Sequence, residues 1–370
     1  MLEPQTELAS IENPAESPIF VIGTGRSGTT LLRQMLNAHP NIYIAHESAF
    51  YSYLRLSPKR TPLQQWLRRY VDTFSFAWML LNPAPILERV SAAWDLSAAH
   101  LAYREFLLQK ATARGKKRFG DKNPLDTQNV KRIFSDFPKA RVIFMVRHPV
   151  PTVASFSKMP FGASGYLTNA LLCRFQCSHI KPFLDSILEV RLEDLSDKPR
   201  ATMQSILNFV GEPWDDAVLE HVTRAQTDDL PPSPWFVGAT VKSVGEREIE
   251  SPVLLPEPWI RIIERLNRET MARYSYKPIN LKQEVSVWDC VRALLSDLRP
   301  TVAGLARLQR LNNRIVRHIR GKERLPPQLA QQENLMLNPS AWKHYARIDV
   351  PSVPPVPPDP NRPFDPSVPY

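Results

Sequence analysis

Cysteine is scarce in this sequence. Its 370 residues include three cysteines, Cys173, Cys177 and Cys290, and three cannot build the disulfide framework that small secreted proteins use. We therefore expect a reducing compartment, and the cytoplasm is the predicted location. Cys173 and Cys177 lie four positions apart without further Cys or His at metal-ligand spacing, which favours two packed residues one helical turn apart over a metal site.

Long apolar runs are also missing. No stretch reaches the roughly 20 apolar residues that a helix needs to cross a bilayer. Residues 1–17 are acidic and polar and lack the basic start and apolar centre of a signal peptide. We predict no membrane span and no signal peptide, and we interpret residues 1–17 as a flexible leader.

Acidic residues are outnumbered by basic ones. The 47 Lys and Arg against 37 Asp and Glu give a net charge of +10, which indicates an anionic partner such as a phosphorylated cofactor, an acidic polymer or an anionic membrane surface. The basic residues are scattered rather than interleaved with aromatic ones, and no nucleic-acid-binding signature is present. We therefore predict no nucleic-acid partner.

The sequence does contain alternating strand-like and helix-like segments. Residues 18–23, 140–146 and 187–192 are short apolar runs typical of buried parallel strands. Residues 30–38 and 199–210 have the spacing of amphipathic helices. This alternation predicts an α/β fold in three layers, with a central, mostly parallel sheet between helices.

Composition divides the rest of the chain. Residues 50–118 are rich in Trp, Leu, Arg and Ala and broken by prolines, and we interpret most of them as a helical cap inserted into a domain that spans residues 18–278. Residues 279–345 predict a C-terminal helical extension. Residues 346–370 are proline-rich and predict an extended tail.

Basic amphipathic helices are predicted near the end of the chain. Residues 285–321 indicate one or two such helices, interrupted at Pro300. They either pack against the domain with a solvated outer face or make peripheral contact with a membrane or another partner. Residues 259–273 indicate one further helix.

A glycine-rich loop follows the first predicted strand. Residues 23–30 read Gly-Thr-Gly-Arg-Ser-Gly-Thr-Thr, and these glycines let backbone N–H groups converge on an anion at the start of the next helix. The hydroxyls of Thr29 and Thr30 add donors. A Walker A loop would have lysine after Gly28, but here Thr29 follows it and a basic residue, Arg26, stands inside the loop.

The loop resembles a known family. Residues 26–32, Arg-Ser-Gly-Thr-Thr-Leu-Leu, are similar to the loop that binds the 5′-phosphosulfate of 3′-phosphoadenosine-5′-phosphosulfate (PAPS) in sulfotransferases, in the form found in tyrosylprotein sulfotransferases and their bacterial relatives. The resemblance is specific at residues 18–48, 119–124, 141–156 and 188–214. It implies a P-loop NTPase-like fold, PAPS as donor, adenosine 3′,5′-bisphosphate as product and no required metal. The implied donor-binding residues are Gly25, Arg26, Ser27, Gly28, Thr29, Thr30, Arg147 and Ser155.

Arg147 and Ser155 are assigned to the 3′-phosphate by this resemblance. Arg147 follows the predicted strand at 140–146, and ligands of open α/β sheets bind in the crevice beyond the carboxyl ends of the strands. A serine in the helix that follows adds a hydroxyl donor.

The resemblance also implies catalytic residues. Glu47 lies 21 residues after Arg26, where the tyrosylprotein enzymes have a Glu, and is the predicted general base. His46 is the alternative base. Lys122, in a Lys-Asn-Pro segment, would act with Arg26 to stabilise charge on the leaving phosphate, and Asp121 is expected to be a cap or ion-pair partner.

Two places in the sequence limit the resemblance. Leu192 stands where relatives often carry Tyr in an Arg-Tyr-Glu-Asp-Leu segment, so any contact of that ring is lost or replaced. Lys242 and Ser243 are candidates for contacts near the donor sulfate, but the pattern does not assign them.

Three functions are compatible with these motifs. A PAPS-dependent sulfotransferase acting on a hydroxyl or amine is favoured. A P-loop-like kinase or phosphotransferase is disfavoured because the Walker lysine and an acidic metal-binding strand end are missing. A non-catalytic nucleotide-binding scaffold is disfavoured by the presence of the predicted catalytic residues. The acceptor, whether carbohydrate, peptide, lipid or small molecule, and the oligomeric state are left open.

Overall fold

Five parallel strands form the centre of the fold. The computed structural model describes residues 16–220, apart from residues 60, 78, 80, 92 and 93, and residues 255–323. The strands in chain order are β1 Ile19–Gly23, β2 Ile42–His46, β3 Arg118–Lys122, β4 Arg141–Val146 and β5 Ile187–Arg191. They pair in the order β2-β3-β1-β4-β5, and every pairing is parallel. The predicted parallel α/β sheet is confirmed.

This strand order creates a crevice between β1 and β4. The chain leaves β1 towards β2 on one side of the sheet and leaves β4 towards β5 on the other. Connections that diverge in this way leave a gap beyond the carboxyl ends of the two strands, and this is where open α/β sheets bind ligands. The glycine-rich loop follows β1 and Arg147 follows β4, so both lie at this gap.

Both faces of the sheet are covered. Side chains alternate between the faces of a strand, and Ile19 and Val21 of β1 pack on one side while Phe20 and Ile22 pack on the other. The first side is covered by helices α1 (Thr29–Ala38) and, later in the chain, α11. The second is covered by α7 and by the cap. The helices in chain order are α1 Thr29–Ala38, α2 Phe50–Leu56, α3 Leu63–Val71, α4 Phe74–Ala77, α5 Ala84–Arg89, α6 Ala99–Ala113, α7 Val130–Asp136, α8 Pro149–Phe156, α9 Tyr166–His179, α10 Leu192–Asp197, α11 Pro199–Val210, α12 Glu257–Leu266, α13 Arg268–Arg273 and α14 Val287–Ile319.

The cap consists of helices α2 to α6, which are packed through aromatic contacts. The rings of Phe50 and Tyr103 stack with centroids 4.1 Å apart, and Trp66 stacks on Tyr70 at 5.2 Å. Two of these rings also reach the end of the sheet, because the Tyr70 hydroxyl donates to the carbonyl of Ser48 and the Tyr103 hydroxyl donates to Asp121 of β3. The cap therefore contacts the segment that follows β2.

β3 was not predicted from the sequence. Residues 119–124 were expected to precede a helix, and the strand has only one large apolar side chain, Phe119. Its polar residues are nevertheless buried, because each has partners. Arg118 donates to the carbonyl of Val210 (2.7 Å) and pairs with Glu212 at 3.1 Å. A strand that is polar in sequence thus pairs between β2 and β1.

The C-terminal helices differ in their boundaries from the prediction. The helix expected over residues 259–273 is two helices, α12 and α13, separated at Asn267, whose side-chain amide donates to the carbonyl of Ile263. The segment expected to be interrupted at Pro300 is a single 33-residue helix, α14. Asp297, before the proline, accepts from the backbone N–H groups of Tyr166 and Leu167 at the start of α9, and Arg307, after the proline, donates to the Ser164 hydroxyl at 3.4 Å. No helix in the described ranges is long and apolar enough to span a bilayer.

Gly120 provides a test of the tight pairing between β3 and β1. A Cβ at this position would lie 1.8 Å from the carbonyl oxygen of Ile19, and a strand backbone cannot move away without breaking the pairing. We expect Gly120→Ala to lower the free energy of unfolding in urea by about 3 kcal/mol or more, as overpacking does. The matched control is Gly304→Ala in α14, where the nearest atom is 3.5 Å away. This control should be neutral or stabilising by up to about 1 kcal/mol, and equal losses in both variants would contradict the analysis.

Candidate active site

The loop between β1 and α1 presents backbone donors. Gly28 has φ of 91°, the left-handed conformation, and precedes the first residue of α1, Thr29. No side chain caps this ten-residue helix, so the N–H groups of its first turn, together with the positive end of its dipole, are available to an anion. Thr29 is buried and Thr30 half-buried at the same end.

Two glycines of this loop are required by their neighbours. A Cβ on Gly25 would lie 2.2 Å from the ring of Phe156, and one on Gly28 would lie 2.5 Å from a methyl group of Leu192. Leu192, the residue that replaces the Tyr of relatives, therefore packs against the loop. Ser27 is buried and turned inward, since its hydroxyl lies 2.6 Å from the carbonyl oxygen of Thr24. The Ser27 hydroxyl proton is therefore directed at backbone carbonyls, and the groups that the loop offers to an anion are its backbone N–H groups.

Arg26, Ser155 and Arg147 come together beside the loop. The Nε of Arg26 donates to the Ser155 hydroxyl at 3.0 Å, a contact between residues 129 positions apart. Ser155 lies in the last turn of α8, the helix in which it was expected. Burial lowers the pKa of Arg147, the carboxylate of Glu193 opposes this shift, and the positive charge of Arg26 adds to it. Two guanidinium groups close enough to repel each other favour an anion between them.

Glu193 and Tyr276 lie next to Arg147, and neither was predicted to be a residue of the site. Glu193 accepts from the backbone N–H of His148 at 2.9 Å and from the Tyr276 hydroxyl at 3.0 Å. The Arg191 guanidinium lies 4.8 Å from the centre of the Tyr276 ring. In the sequence, the Glu-Asp pair of the Arg-Leu-Glu-Asp-Leu segment could have indicated Glu193. No sequence pattern indicates Tyr276, because it lies 83 positions from Glu193 along the chain.

Glu47 and Lys122 meet on the other side of the loop. The Lys122 ammonium donates to Glu47 Oε1 at 2.5 Å, and the Glu47 backbone N–H donates to the Lys122 carbonyl at 2.8 Å. Lys122 is completely buried, whereas the Glu47 side chain is 30% exposed. Burial lowers the pKa of Lys122, and the Glu47 carboxylate opposes that shift. The two predicted catalytic residues thus form one ion pair, of which the carboxylate can be reached from solvent.

A buried network holds this pair in position. Asp121, next to Lys122 in β3, accepts from the Ser48 hydroxyl at 2.6 Å and from the Tyr103 hydroxyl at 2.9 Å. Burial raises the pKa of Asp121, and the two hydroxyl donors oppose the shift. Asp121 is therefore neither a cap nor an ion-pair partner but a hydrogen-bond acceptor that ties β3 to the turn after β2 and to the cap.

Backbone strain is concentrated at these residues. Four non-glycine residues in the described ranges have positive φ, and Arg26 (69°), Glu47 (42°) and Ala49 (51°) are three of them. Each such conformation costs on the order of 1–3 kcal/mol and persists only where its surroundings impose it. The network around Ser48 and the contacts of the loop impose it here.

His46, the alternative base, is the last residue of β2 and is 1% exposed. Its pKa is well below the ordinary value, mainly because burial disfavours the charged form and also because Lys122 and Arg33 are positively charged. His46 is therefore a neutral side chain of the core beside the ion pair. Lys242 and Ser243 lie outside the described residues, and within those residues no group of three or more His, Cys, Asp or Glu is arranged to hold a metal ion.

Comparison with known proteins agrees with this arrangement. A family model described as "Sulfotransferase family" matches residues 18–216, more than half of the chain. The chain belongs to this sulfotransferase family. The curated relatives include a protein-tyrosine sulfotransferase of Drosophila melanogaster, 29% identical over 216 residues that cover 55% of this chain and 40% of the relative. Another is protein-tyrosine sulfotransferase 1 of Danio rerio, 28% identical over 215 residues that cover 55% of each chain.

The sulfotransferase match covers only part of these relatives, so the chain spans about half the length of the curated proteins it resembles. Among solved structures, a sulfotransferase domain from the curacin biosynthetic pathway has a TM-score of 0.51 at 18% identity, covering 71% of this chain and 99% of that domain. This likeness supports the fold, a P-loop-like α/β sulfotransferase domain.

The neutral state of His46 predicts a pH dependence of stability. Its pKa in the folded sulfotransferase is below the value of about 6.5 in the unfolded chain. The stability that goes with a neutral His46 is therefore fully present above about pH 6.5. As the pH falls below this value, the unfolded chain binds a proton that the folded protein does not, and the free energy of unfolding decreases by up to about 1.4 kcal/mol per pH unit. We expect His46→Gln to reduce the slope of unfolding free energy against pH between about pH 6.5 and 5, measured with urea. His179→Gln, which removes a half-buried His on α9, is the control and should keep the wild-type slope. A wild-type slope in His46→Gln would contradict the neutral state of His46 in the folded protein.

Proposed function

We propose that this protein transfers a sulfuryl group from PAPS to a hydroxyl or amine of an acceptor, with Glu47 as general base. The order of side chains along the carboxyl edge of the sheet carries the proposal. Glu47 follows β2, Lys122 ends β3, the loop at 23–30 follows β1, and Arg147 follows β4. Because neighbouring strands are about 4.8 Å apart, these groups follow one another along a single crevice.

The donor has two separate anionic groups, and the crevice offers two separate places for them. The loop N–H groups, the α1 N-terminus and Arg26 suit the 5′-phosphosulfate. Arg147 and Ser155 suit the 3′-phosphate. The repulsion between Arg26 and Arg147 would be relieved when each guanidinium contacts one anionic group of the donor, and the Arg26–Ser155 hydrogen bond keeps the two places next to each other.

The ion pair supplies a base and a cation for the transfer. When bound, the donor provides the sulfuryl group and a phosphate leaving group. Glu47 is partly exposed and would accept the acceptor hydroxyl proton as the new O–S bond forms. Protonation removes the negative charge that holds the Lys122 ammonium, and that ammonium can then neutralise charge on the leaving phosphate. One proton transfer thereby serves both ends of the reaction.

The acceptor is proposed only as a class. The names of the relatives refer to protein tyrosine, which makes a peptide tyrosine hydroxyl one candidate beside carbohydrate, lipid and small-molecule hydroxyls. Fold and family do not decide between them, since function resides in the site. The cytoplasm is the compartment we propose for the reaction.

Ligand binding tests the donor assignment. We expect adenosine 3′,5′-bisphosphate to raise the midpoint of thermal unfolding, because a ligand at about 100 times its Kd stabilises the folded state by about 2.7 kcal/mol. ATP with Mg²⁺ should give a smaller shift. In Arg147→Ala most of the shift should be lost, whereas Arg292→Ala, an exposed arginine of α14, should keep it. Stabilisation by ATP–Mg²⁺ alone would favour the kinase alternative and sink the sulfotransferase proposal.

Glu47→Gln tests the base. We expect turnover of a phenolic or alcoholic acceptor to fall by about 10²–10⁴-fold, the usual contribution of a general base, while the affinity for adenosine 3′,5′-bisphosphate stays within about threefold. The matched control is Glu269→Gln, which also removes a carboxylate bound to a lysine, Lys181, at 2.6 Å, but on α13. Wild-type turnover in Glu47→Gln would remove Glu47 from the base role and leave His46 as the candidate.

A further inference from the structure

Helix α14 exposes a continuous apolar stripe. Twelve large hydrophobic residues are exposed in the described part of the chain, and eight of them lie on this one helix. Trp288 and Val287 at its start are 72% and 77% exposed. The eight residues are Val287, Trp288, Leu294, Leu295, Leu298, Val302, Leu305 and Leu308. Scattered exposed hydrophobic residues are ordinary, but a concentration on one element marks an interaction site.

The stripe is not the face that holds α14 on the domain. The buried residues of the helix lie on the adjoining side, where Asp297 accepts from two N–H groups at the start of α9 and Thr301 is buried beside it. At the far end, the His318 ring hydrogen-bonds the carbonyl of Arg69 in the cap. The helix is thus fixed by one face, and the stripe faces outward.

The spacing of the stripe gives it a definite shape. Residues 288, 291, 295, 298, 302 and 305 are apolar at alternating intervals of three and four. With about 100° of rotation per residue, the stripe occupies roughly a third of the circumference of the helix and extends for about 30 Å. This is an amphipathic helix whose apolar side is turned away from its own domain.

A row of arginines borders the stripe on its solvent side. Arg292, Arg299, Arg310 and Arg317 follow one another at intervals of seven and eleven residues, which places them in one line along the helix, and all four are exposed. Arg292 has a surface contact with Asp289 at 3.5 Å, and Arg317 contacts Glu323. Such exposed ion pairs are weak, so the row presents positive charge beside the apolar stripe.

A partner that covers this surface must match both the apolar stripe and the arginine row. A second copy could use the three-and-four spacing as a coiled-coil seam, but stable seams carry opposite charges at their borders. A coiled-coil seam along residues 288–305 would be flanked by Arg292 and Arg299 on one side and by Leu294 and Thr301 on the other, so the arginines of one copy would face no acidic residue of the second copy. An apolar layer beneath anionic groups matches both the stripe and the row.

We propose that α14 binds the surface of an anionic lipid bilayer and lies in its plane. The apolar stripe, with Trp288 at its start, enters the boundary between headgroups and acyl chains. The arginine row contacts anionic headgroups. Because the adjoining face of α14 contacts both α9 and the cap, binding brings the domain that holds the candidate active site to the membrane surface.

Vesicle co-sedimentation of the intact protein tests this proposal. With vesicles of phosphatidylcholine containing about a third phosphatidylserine, we expect at least about tenfold tighter binding than with phosphatidylcholine alone, and weaker binding as salt screens the arginines. Trp288→Gln/Leu295→Gln should lose at least about tenfold in affinity. Trp94→Gln/Leu171→Gln replaces one exposed Trp and one exposed Leu outside α14 and should bind as the wild type does.

Light scattering and circular dichroism complete the test. Both double variants should keep the wild-type mass and helical signal, since the replaced side chains are exposed. Failure to bind anionic vesicles would overturn the proposal. A wild-type dimer that becomes monomeric in Trp288→Gln/Leu295→Gln, without vesicle binding, would assign the stripe to a second copy instead. A monomer that does not bind would mean that another part of the chain covers the stripe.

Discussion

The burial of Lys122 is the constraint on which the site depends. A lysine with no exposed surface is stable only with a partner for its charge, and Glu47 is that partner. Glu47 in turn keeps its position because the turn after β2 is held by Ser48 on Asp121 and by Tyr70 of the cap. The aromatic packing of the cap therefore determines where the carboxylate stands, although none of its rings belongs to the motifs of the site.

The elements that sequence predicted well are those whose signal is local. β1, β4 and β5 are apolar runs that end near glycine or arginine, and α11 was predicted with the bounds it has, because Pro199 starts it and Gly211 ends it. The contact between Glu47 and Lys122, and that between Arg26 and Ser155, join residues that the motifs had already named. Motif spacing thus named residues that contact each other in the fold, without giving their distances.

The elements that sequence missed depend on distant partners. β3 is polar, and partners from other parts of the chain, among them Glu212, Ser48 and Glu47, make its burial possible. Tyr276 reaches Glu193 from 83 positions away. α14 continues through Pro300 since its buried face is anchored on α9, a contact that helix propensity cannot anticipate. In each case the deciding interaction is tertiary.

The left-handed backbone at Arg26 and Glu47 has a consequence for how this sequence can vary. Glycine would adopt either conformation without strain, so Arg26→Gly would relieve on the order of 1 kcal/mol of backbone strain while deleting the guanidinium of the loop. Glu47→Gly would relieve similar strain but would take the carboxylate away from the buried Lys122 ammonium, which costs more, about 3–5 kcal/mol. A strained residue is therefore a local cost in stability at Arg26, whereas at Glu47 the same strain is outweighed by the charge that the residue neutralises in the core.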